Sequence, residues 1–187
     1  MIEKPKSYCD YANHLPKGNL HKIYHDTKYG FPIESDNELF CRLVLEINQA
    51  GLSWTTILNK QENFRKAFSS FDIKTVASFG DAEIERLLKD AGIIRNKLKI
   101  NAAIYNANQI MELQNSFGSF KNWLNQNHPL PLDLWVKLFK KTFKFTGKEI
   151  TKEFLMSTGY LKGAHIETCE TFVLISKLKP MWRKINS

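Results

Sequence analysis

Two residues at the end of the stretch Ser35–Trp54 have the chemistry to hold a flat, polar ligand. Apolar residues recur there every three or four positions, which predicts an amphipathic helix. Glu46 lies at the edge of the apolar stripe, between core and solvent, and Trp54 follows the turn at Ala50-Gly51 that ends the helix. A carboxylate beside an indole could form a pocket for such a ligand. The alternative is an ordinary surface glutamate and a core tryptophan.

A second pair, His165 and Cys169, has the residue types and the spacing of metal ligands. At i, i+4 on one helical turn, an imidazole and a thiolate can bind one zinc ion. Cys9 and His25 are the candidates for the other two positions of a tetrahedral site, because the loop that carries them is rich in tyrosine and histidine and needs an anchor. With all four positions filled, the zinc would be structural. The alternative is a surface histidine beside a buried cysteine.

The segment Thr142–Gly159 predicts two helices joined by a turn that contains Gly147. Such a turn exposes backbone N–H groups at the start of the second helix, and Lys144 and Lys148 lie beside it. Free N–H groups together with lysines suit a phosphate oxygen. The alternative is an ordinary helix–helix turn with its lysines on a solvated face.

The composition favours a folded, soluble protein with a polyanionic partner. The 187 residues are 43 % hydrophobic and 25 % charged, a balance that supports a core and argues against disorder. The net charge of +8 favours nucleic acid as the partner. Three cysteines, an odd and small number, argue against a disulfide framework. The chain has no hydrophobic signal core and no apolar run near the roughly 18 residues of a membrane span, so we expect a cytoplasmic protein.

Helical periodicity recurs along most of the chain, and the sequence contains no convincing alternating strand pattern and no internal repeat. The fold class is therefore predicted to be all-α. The helix that follows Ser35 begins with the spacing of a capping box, in which Ser35 accepts from the backbone N–H of Glu38 and Glu38 bonds back. Further long helices are predicted at 55–69 and 94–113.

Local signals also predict where shorter helices begin and which side chains face inward. Asp72, Asp81 and Ser119 are the predicted N-caps of three short helices. In the helix at 94–113 we expect Leu98, Ala102 and Tyr105 on one side.

Five blocks follow one another in a fixed order over roughly residues 7–170. They are YHDxxYGxP (24–32), LExxQAGLSW (45–54), AGIIR (91–95), FKFxG (143–147) and HxxxC (165–169). Together they resemble the DNA-3-methyladenine glycosylase I family, and the LExxQAGLSW block is the most specific. The resemblance favours the functional interpretation over the ordinary one for each of the three features above.

The resemblance implies an all-helical DNA repair enzyme, with a helix–hairpin–helix element at 134–159 and a structural Zn²⁺. Such an enzyme hydrolyses the N-glycosidic bond of 3-methyladenine in double-stranded DNA, in base excision repair. By the same resemblance Glu46 is the catalytic carboxylate that recognises the extruded base. The aromatic residues that would bind the base are Tyr24, Trp54, Tyr29 and Tyr11. The zinc ligands would be Cys9, His25, His165 and Cys169, and the DNA-gripping residues Lys144, Thr146, Gly147 and Lys148.

Some positions depart from the family pattern. Tyr11 and Tyr29 stand where the family usually has tryptophan, and His21 replaces a common tyrosine. Cys9 is further from His25 along the chain than in the usual pattern, a difference that a loop absorbs at little cost. These departures keep open a paralogue that binds lesion DNA but is catalytically weak or inactive. A small zinc-stabilised helical module for protein interaction is a third interpretation.

Two further expectations concern the reaction and the organisation of the chain. Gly163 stands where the wider superfamily often has an aspartate that activates water, and no lysine occupies an obvious nucleophile position. We therefore expect monofunctional hydrolysis without lyase chemistry. We also expect a monomer with one glycosylase domain over 1–187, in which zinc tethers segments 1–30 and 160–187.

Overall fold

The computed structural model describes residues 5–184, and within this range the chain forms α-helices and no β-strand. The predicted all-α class is therefore confirmed. Residues 1–4 and 185–187, which the predicted tethered segments include, lie outside the described range. None of the helices in that range is both long and apolar enough to cross a membrane. The helices are α1 (Tyr8–Asn13), α2 (Leu20–Thr27), α3 (Asp36–Gln49), α4 (Trp54–Ala67), α5 (Ile73–Ala77), α6 (Asp81–Lys89), α7 (Lys97–Phe117), α8 (Phe120–Asn127), α9 (Leu132–Thr142), α10 (Lys148–Ser157) and α11 (Glu170–Lys177), with short 3₁₀ helices at Ser69–Phe71 and Met181–Arg183.

The chain divides into two compact units. The larger unit is Ile33–Phe154, and the smaller unit combines the described parts of Met1–Pro32 and Leu155–Ser187. The larger unit contains α3 to α9 and most of α10, and the smaller unit contains α1, α2 and α11. The expected single glycosylase domain over 1–187 stays a prediction.

Helix α3 is the central helix of the larger unit, since every residue from Leu39 to Asn48 is buried. It begins after Ser35, as predicted, but the capping box is wrong because Ser35 makes no side-chain cap hydrogen bond. Glu38 instead accepts two hydrogen bonds from the Arg65 guanidinium on α4, at 2.8 and 2.6 Å. A bidentate, charge-assisted pair is stronger than a single bond to a backbone N–H, so it takes the carboxylate away from the helix start.

Aromatic side chains fill the core of the larger unit. The rings of Phe68 and Phe71 stack with their centroids 5.8 Å apart, and those of Phe139 and Phe143 meet edge-on at 5.4 Å. Among the described residues, the largest side chains that are fully buried all belong to this unit: Trp135, Phe40, Phe64, Phe68, Phe71, Phe120, Phe139, Phe154, Leu39, Leu43, Ile47 and Ile57.

Two of the three predicted N-caps are confirmed. The Asp72 carboxylate accepts from the Thr75 N–H at 2.8 Å, and the Ser119 hydroxyl accepts from the Asn122 N–H at 2.9 Å. The Asp81 prediction is wrong by one residue. Gly80 takes the extended N-cap conformation, so Asp81 lies in the first turn of α6, where its charge still favours the positive end of the helix dipole.

Helix α7 begins three residues later than predicted. The Asn96 side chain caps it by accepting a hydrogen bond from the N–H of Lys99 at 3.2 Å. It ends at Gly118, which adopts the left-handed conformation with φ 81°. Of the residues expected to share one side of this helix, Ala102 is buried, whereas Leu98 near the start is 69 % exposed. Lys99 takes the inward position, on the face that also buries Ile100, Ala102, Ala103, Asn106, Ala107 and Ile110.

The smaller unit depends on close backbone packing around one glycine. Gly30 has φ +80°, and its N–H donates to the carbonyl of Ser157 at 2.9 Å. A Cβ at this position would lie 2.8 Å from the Cβ of Ala164, closer than two carbon atoms can approach. Both the backbone conformation and the space therefore require glycine, and this residue fixes the chain just after α2.

Candidate functional site

The smaller unit brings together the four predicted metal ligands, which are all buried. Nδ1 of His165 lies 3.2 Å from Nε2 of His25 and 3.5 Å from Sγ of Cys9. Sγ of Cys169 lies 3.7 Å from Nε2 of His25, and all four ligand atoms are within 4.8 Å of one another. A tetrahedral zinc site requires about 3.3 Å between two nitrogens and about 3.6 Å between nitrogen and sulfur. The four residues therefore fit a zinc ion once the longer separations, such as the 4.0 Å between Sγ of Cys169 and Nδ1 of His165, shorten slightly.

Hydrogen bonds orient both histidines of this Cys/His cluster. Nδ1 of His25 lies 2.7 Å from a carboxylate oxygen of Asp26, and Nε2 of His165 lies 2.7 Å from the carbonyl oxygen of Tyr29. In each ring the N–H that donates outward leaves the other nitrogen facing the cluster, as in metal-bound histidines. Burial lowers the pKa of His165 to about 4, which keeps the imidazole neutral. A neutral imidazole is the form that binds a metal.

The local structure at His165 and Cys169 differs from the predicted helical turn. Residues 161–169 form turns and bends, and Cys169 is the N-cap of α11 with an extended backbone. A single turn bond from the N–H of Cys169 to the carbonyl of Ile166, at 3.0 Å, brings the two ligands together. The helical-turn interpretation is therefore wrong, although the two residues do meet.

The larger unit contains a cavity of about 640 Å³ beside Glu46. The cavity is lined by Glu46, by the Gln49–Ser53 loop at the end of α3, and by Gly147–Ile150 and Glu153 around the start of α10. Glu46 is only 4 % exposed, so it is more buried than its expected position at the stripe's edge. Trp54 is half-buried and follows this loop directly as the first residue of α4.

The predicted hairpin is a turn between α9 and α10. Lys144 and Lys148 are exposed on it, and Gly147 is partly exposed with open space where a Cβ would project. Thr146 is buried, and its hydroxyl donates to the carbonyls of Phe139 at 3.0 Å and Phe143 at 3.2 Å. The Thr146 side chain thus closes the end of α9, and only its backbone remains for a contact with DNA.

The predicted base-binding aromatics are divided between the units. Tyr11, Tyr24 and Tyr29 belong to the smaller unit, whereas Glu46 and Trp54 belong to the larger. Tyr24 is buried with its ring centroid 5.6 Å from that of Tyr29, and Tyr11 is 37 % exposed. That all five residues bind one base stays a prediction.

Sequence reasoning missed Tyr8, which connects the aromatic residues of the smaller unit. Its hydroxyl lies 3.2 Å from Nδ1 of His21, and its ring centroid lies 5.8 Å from that of His25 and 5.6 Å from that of Tyr29. Burial raises the pKa of the Tyr8 phenol above its usual value, so it stays protonated. Its sequence signals are its place next to the ligand Cys9 and its membership of the segment rich in tyrosine and histidine, and neither of them assigned it a role.

The fold and the geometry define a class: an all-helical protein with a buried Cys/His cluster and a separate cavity that holds a buried glutamate beside a lysine-bearing turn. Comparison with known proteins identifies the family. The model of the methyladenine glycosylase family matches residues 15–133. DNA-3-methyladenine glycosylase 1 of Escherichia coli K12 is 36 % identical over 180 residues, which cover 86 % of this chain and 94 % of that protein.

Solved structures agree with this assignment. A crystal structure of a 3-methyladenine DNA glycosylase I matches with a TM-score of 0.75 and 32 % identity, over 84 % of this chain and 97 % of that chain. A Staphylococcus aureus structure that concerns recognition of 3-methyladenine by this enzyme has a TM-score of 0.75 and 28 % identity, over 83 % and 93 % of the two chains. The chain belongs to the methyladenine glycosylase family and has the fold of these glycosylases.

Proposed function

We propose that this protein is a monofunctional DNA glycosylase that hydrolyses the N-glycosidic bond of 3-methyladenine in alkylated double-stranded DNA, a step of base excision repair. It acts as a monomer. The observation that carries the proposal is the carboxylate of Glu46, 4 % exposed and lining a cavity of about 640 Å³. The relatives named DNA-3-methyladenine glycosylase support the reaction class.

Recognition follows from the charge of the damaged base. Methylation at N3 gives adenine a formal positive charge, and the nucleotide must leave the duplex before a protein can surround it. The Glu46 carboxylate accepts a hydrogen bond from the exocyclic amine and favours the cation. Trp54 stacks on the ring, and Tyr24, Tyr29 and Tyr11 supply the remaining aromatic and phenolic contacts, because π-faces attract a cationic ring.

Hydrolysis then requires little further chemistry from the protein. The C1′–N9 bond breaks with its electron pair going to the base, which leaves neutral, and water oxygen bonds to C1′ and releases its proton to solvent. Gly163 provides no carboxylate to activate that water. The weakened bond of the cationic base therefore supplies much of the rate, and selective binding brings that base into the cavity.

The Cys/His cluster holds a structural zinc ion in this proposal. Cys9, His25, His165 and Cys169 would fill all four positions, so the ion would supply folding energy and leave no open position for a substrate. The distances between the ligand atoms and the outward hydrogen bonds of both histidines support this assignment.

The turn between α9 and α10 is the DNA-gripping hairpin of a helix–hairpin–helix element in this proposal. Lys144 and Lys148 neutralise phosphates, and the N–H groups at the start of α10, next to Gly147, donate to phosphate oxygens. Thr146 contributes its backbone, because its hydroxyl is bonded to α9.

The direct test is release of free 3-methyladenine from methylated duplex DNA. We expect wild-type protein to release the base and Glu46→Gln to lose at least about 100-fold in rate, a typical cost of removing a preorganised electrostatic contact. Glu112→Gln is the matched control, because Glu112 is an exposed glutamate on α7. It should retain wild-type activity.

Two outcomes would contradict the proposal. Undiminished release by Glu46→Gln would remove the assigned carboxylate from the mechanism. Tight binding of lesion DNA by the wild type, with no released base, would favour the catalytically inactive paralogue, for which the altered residues Tyr11, His21 and Tyr29 are the motivation.

A further inference from the structure

Helix α7 carries a lysine that is almost fully buried. Lys99 is 5 % exposed, whereas Lys97 and Leu98 beside it are exposed. A buried ammonium group is costly unless it is hydrogen-bonded. Burial accordingly lowers the pKa of Lys99. The hydrogen-bond acceptors of the Lys99 ammonium group therefore indicate its structural role.

Lys99 closes the carbonyl end of α3. Its Nζ donates to the carbonyl of Asn48 at 2.9 Å and to the carbonyl of Ala50 at 2.7 Å. Carbonyls at the end of a helix have no donor within the helix, and a cation there also interacts favourably with the helix dipole. Ala50 begins the loop to Ser53 that lines the cavity of Glu46.

The same face of α7 also holds the hairpin. The Lys99 ammonium lies 5.9 Å from the ring centroid of Phe145, a hairpin residue with a positive φ of 63°. Two turns further along, Asn106 is fully buried, and its amide bonds both backbone groups of Lys144, donating to the carbonyl at 3.1 Å and accepting from the N–H at 2.8 Å. One rigid helix thus contacts two segments of the cavity region.

We propose that Lys99 is a positioning residue that fixes the Gln49–Ser53 loop relative to the hairpin. The inference rests on the proposed function and deepens it. Excision from a duplex requires the hairpin and the loop in a fixed relative position. The hairpin must bind the DNA backbone while the extruded base occupies the cavity that the loop lines. Single-stranded DNA has no base pair to open, so its cleavage depends less on their relative position.

Lys99→Met tests this role because methionine keeps the length of the side chain and removes both hydrogen bonds. We expect the kcat on methylated duplex DNA to fall about 10- to 100-fold, the scale of a misplacement near 1 Å. The kcat on methylated single-stranded DNA should fall much less, so the duplex-to-single-strand ratio drops. Lys97→Met is the matched control, and Lys99→Arg, which keeps the donors and the charge, should restore part of the ratio.

Hydrogen exchange gives a readout that does not depend on activity. The N–H of Leu52 donates to the carbonyl of Gln49 at 2.7 Å, within the loop that Lys99 supports. We expect Lys99→Met to accelerate exchange at Leu52, with wild-type rates in Lys97→Met. If Lys99→Met does not fold, Phe145→Leu tests the same coupling, since it removes only the ring contact and should lower the duplex-to-single-strand ratio to a smaller extent.

The outcomes separate this inference from the proposed function. Failure of the wild type to release any base would reject the function, while the exchange of Leu52 would still decide the role of Lys99. An active wild type, with Lys99→Met indistinguishable from Lys97→Met in both the ratio and the exchange, would overturn the inference alone. An equal loss on both forms of DNA would also overturn it, because a purely structural role predicts that result.

Discussion

The two units of the molecule differ in what fills their interiors. The larger unit, Ile33–Phe154, contains the largest fully buried side chains of the described residues, and its aromatic rings contact one another in groups around Phe68 and around Phe139. The smaller unit has the short helices α1, α2 and α11, and at its centre lie Cys9, His25, His165 and Cys169. One unit is organised around a hydrophobic core and the other around a set of polar ligands.

This difference indicates how each unit is stabilised. A small set of residues buries too little apolar surface to offset its conformational entropy, and small domains commonly add a metal or disulfides. The smaller unit has no disulfide among its described residues, because Cys9 and Cys169 are free. We infer that metal binding stabilises the smaller unit, as burial of aromatic side chains stabilises the larger unit.

The largest expected effect is that of removing the proposed zinc ion. A strong chelator, or the variant Cys169→Ser, should unfold the smaller unit, because binding of structural zinc is a major part of the folding energy of small sites. Peptide-level hydrogen exchange should show lost protection in α1, α2 and α11 and retained protection in α3 and α7. Metal analysis of the untreated protein should give one zinc per chain.

Cys41→Ser is the control for this comparison, since Cys41 is a buried cysteine of the larger unit outside the cluster. It should leave the metal content unchanged. Retained protection in the smaller unit after complete removal of the metal would contradict the proposed division, because its own packing would then suffice.

Truncation of the aromatic core is expected to have the next largest effect. Phe120 is fully buried, with its ring centroid 5.6 Å from that of Phe143 and 5.9 Å from that of Trp123. Phe120→Ala should lower the free energy of unfolding by about 3–5 kcal/mol in urea titrations. Phe172→Ala, at a partly exposed ring of the smaller unit, should cost only about 1 kcal/mol.

Equal costs for Phe120→Ala and Phe172→Ala would remove the distinction between the two interiors. The urea titrations should be made with zinc present, so that loss of metal does not add to the cost of either variant. If the loss of unfolding free energy in Phe120→Ala depended on zinc, the stability of the larger unit would not come from its hydrophobic core alone.

A smaller effect is expected on DNA binding, where lysines of the two units should differ in how they change the salt dependence of the affinity. The double variant Lys144→Gln/Lys148→Gln should reduce the slope of log K against log salt by about 2, since each phosphate contact contributes about 0.9. Lys17→Gln/Lys177→Gln removes the same charge from exposed positions of the smaller unit and should leave the slope unchanged. Equal slopes for the two double variants would mean that the hairpin lysines make no specific phosphate contact.

Sequence patterns predicted those parts of the fold that depend on neighbouring residues. The caps Asp72 and Ser119 need only three or four consecutive positions, and they are confirmed. The helix after Ser35 is also confirmed, but it is buried all along Leu39–Asn48, whereas an amphipathic stripe would be buried on one face. The capping box at Ser35 was wrong because Glu38 pairs with Arg65, a residue from another helix. A contact between distant residues is not encoded in local spacing.

The same limit applies to the sites. The spacing of His165 and Cys169 suggested that they bind the same metal ion, but the turn that joins them is not helical. No local pattern connects them to Cys9 and His25. Cys9 and His25 were candidates because of their residue types and the aromatic segment that carries them, and the resemblance to a family then matched all four positions. Lys99 escaped notice because a buried lysine looks like any other charged residue near a helix start until the carbonyls that it bonds are known.

The smallest expected effect concerns the start of α7. Leu98 is 69 % exposed, although it was expected on one side with Ala102, because the face of α7 that packs inward begins with Lys99. Leu98→Ala should therefore change the free energy of unfolding by less than about 0.5 kcal/mol, as for other surface positions, and alanine's higher helix propensity offsets part of the lost contact. Ile110→Ala, at a fully buried position of the same helix, should cost about 2–5 kcal/mol in the same urea titrations. A large cost for Leu98→Ala would mean that the apolar periodicity was right and that α7 is rotated about its axis, in which case Lys99 could not reach the carbonyls of α3.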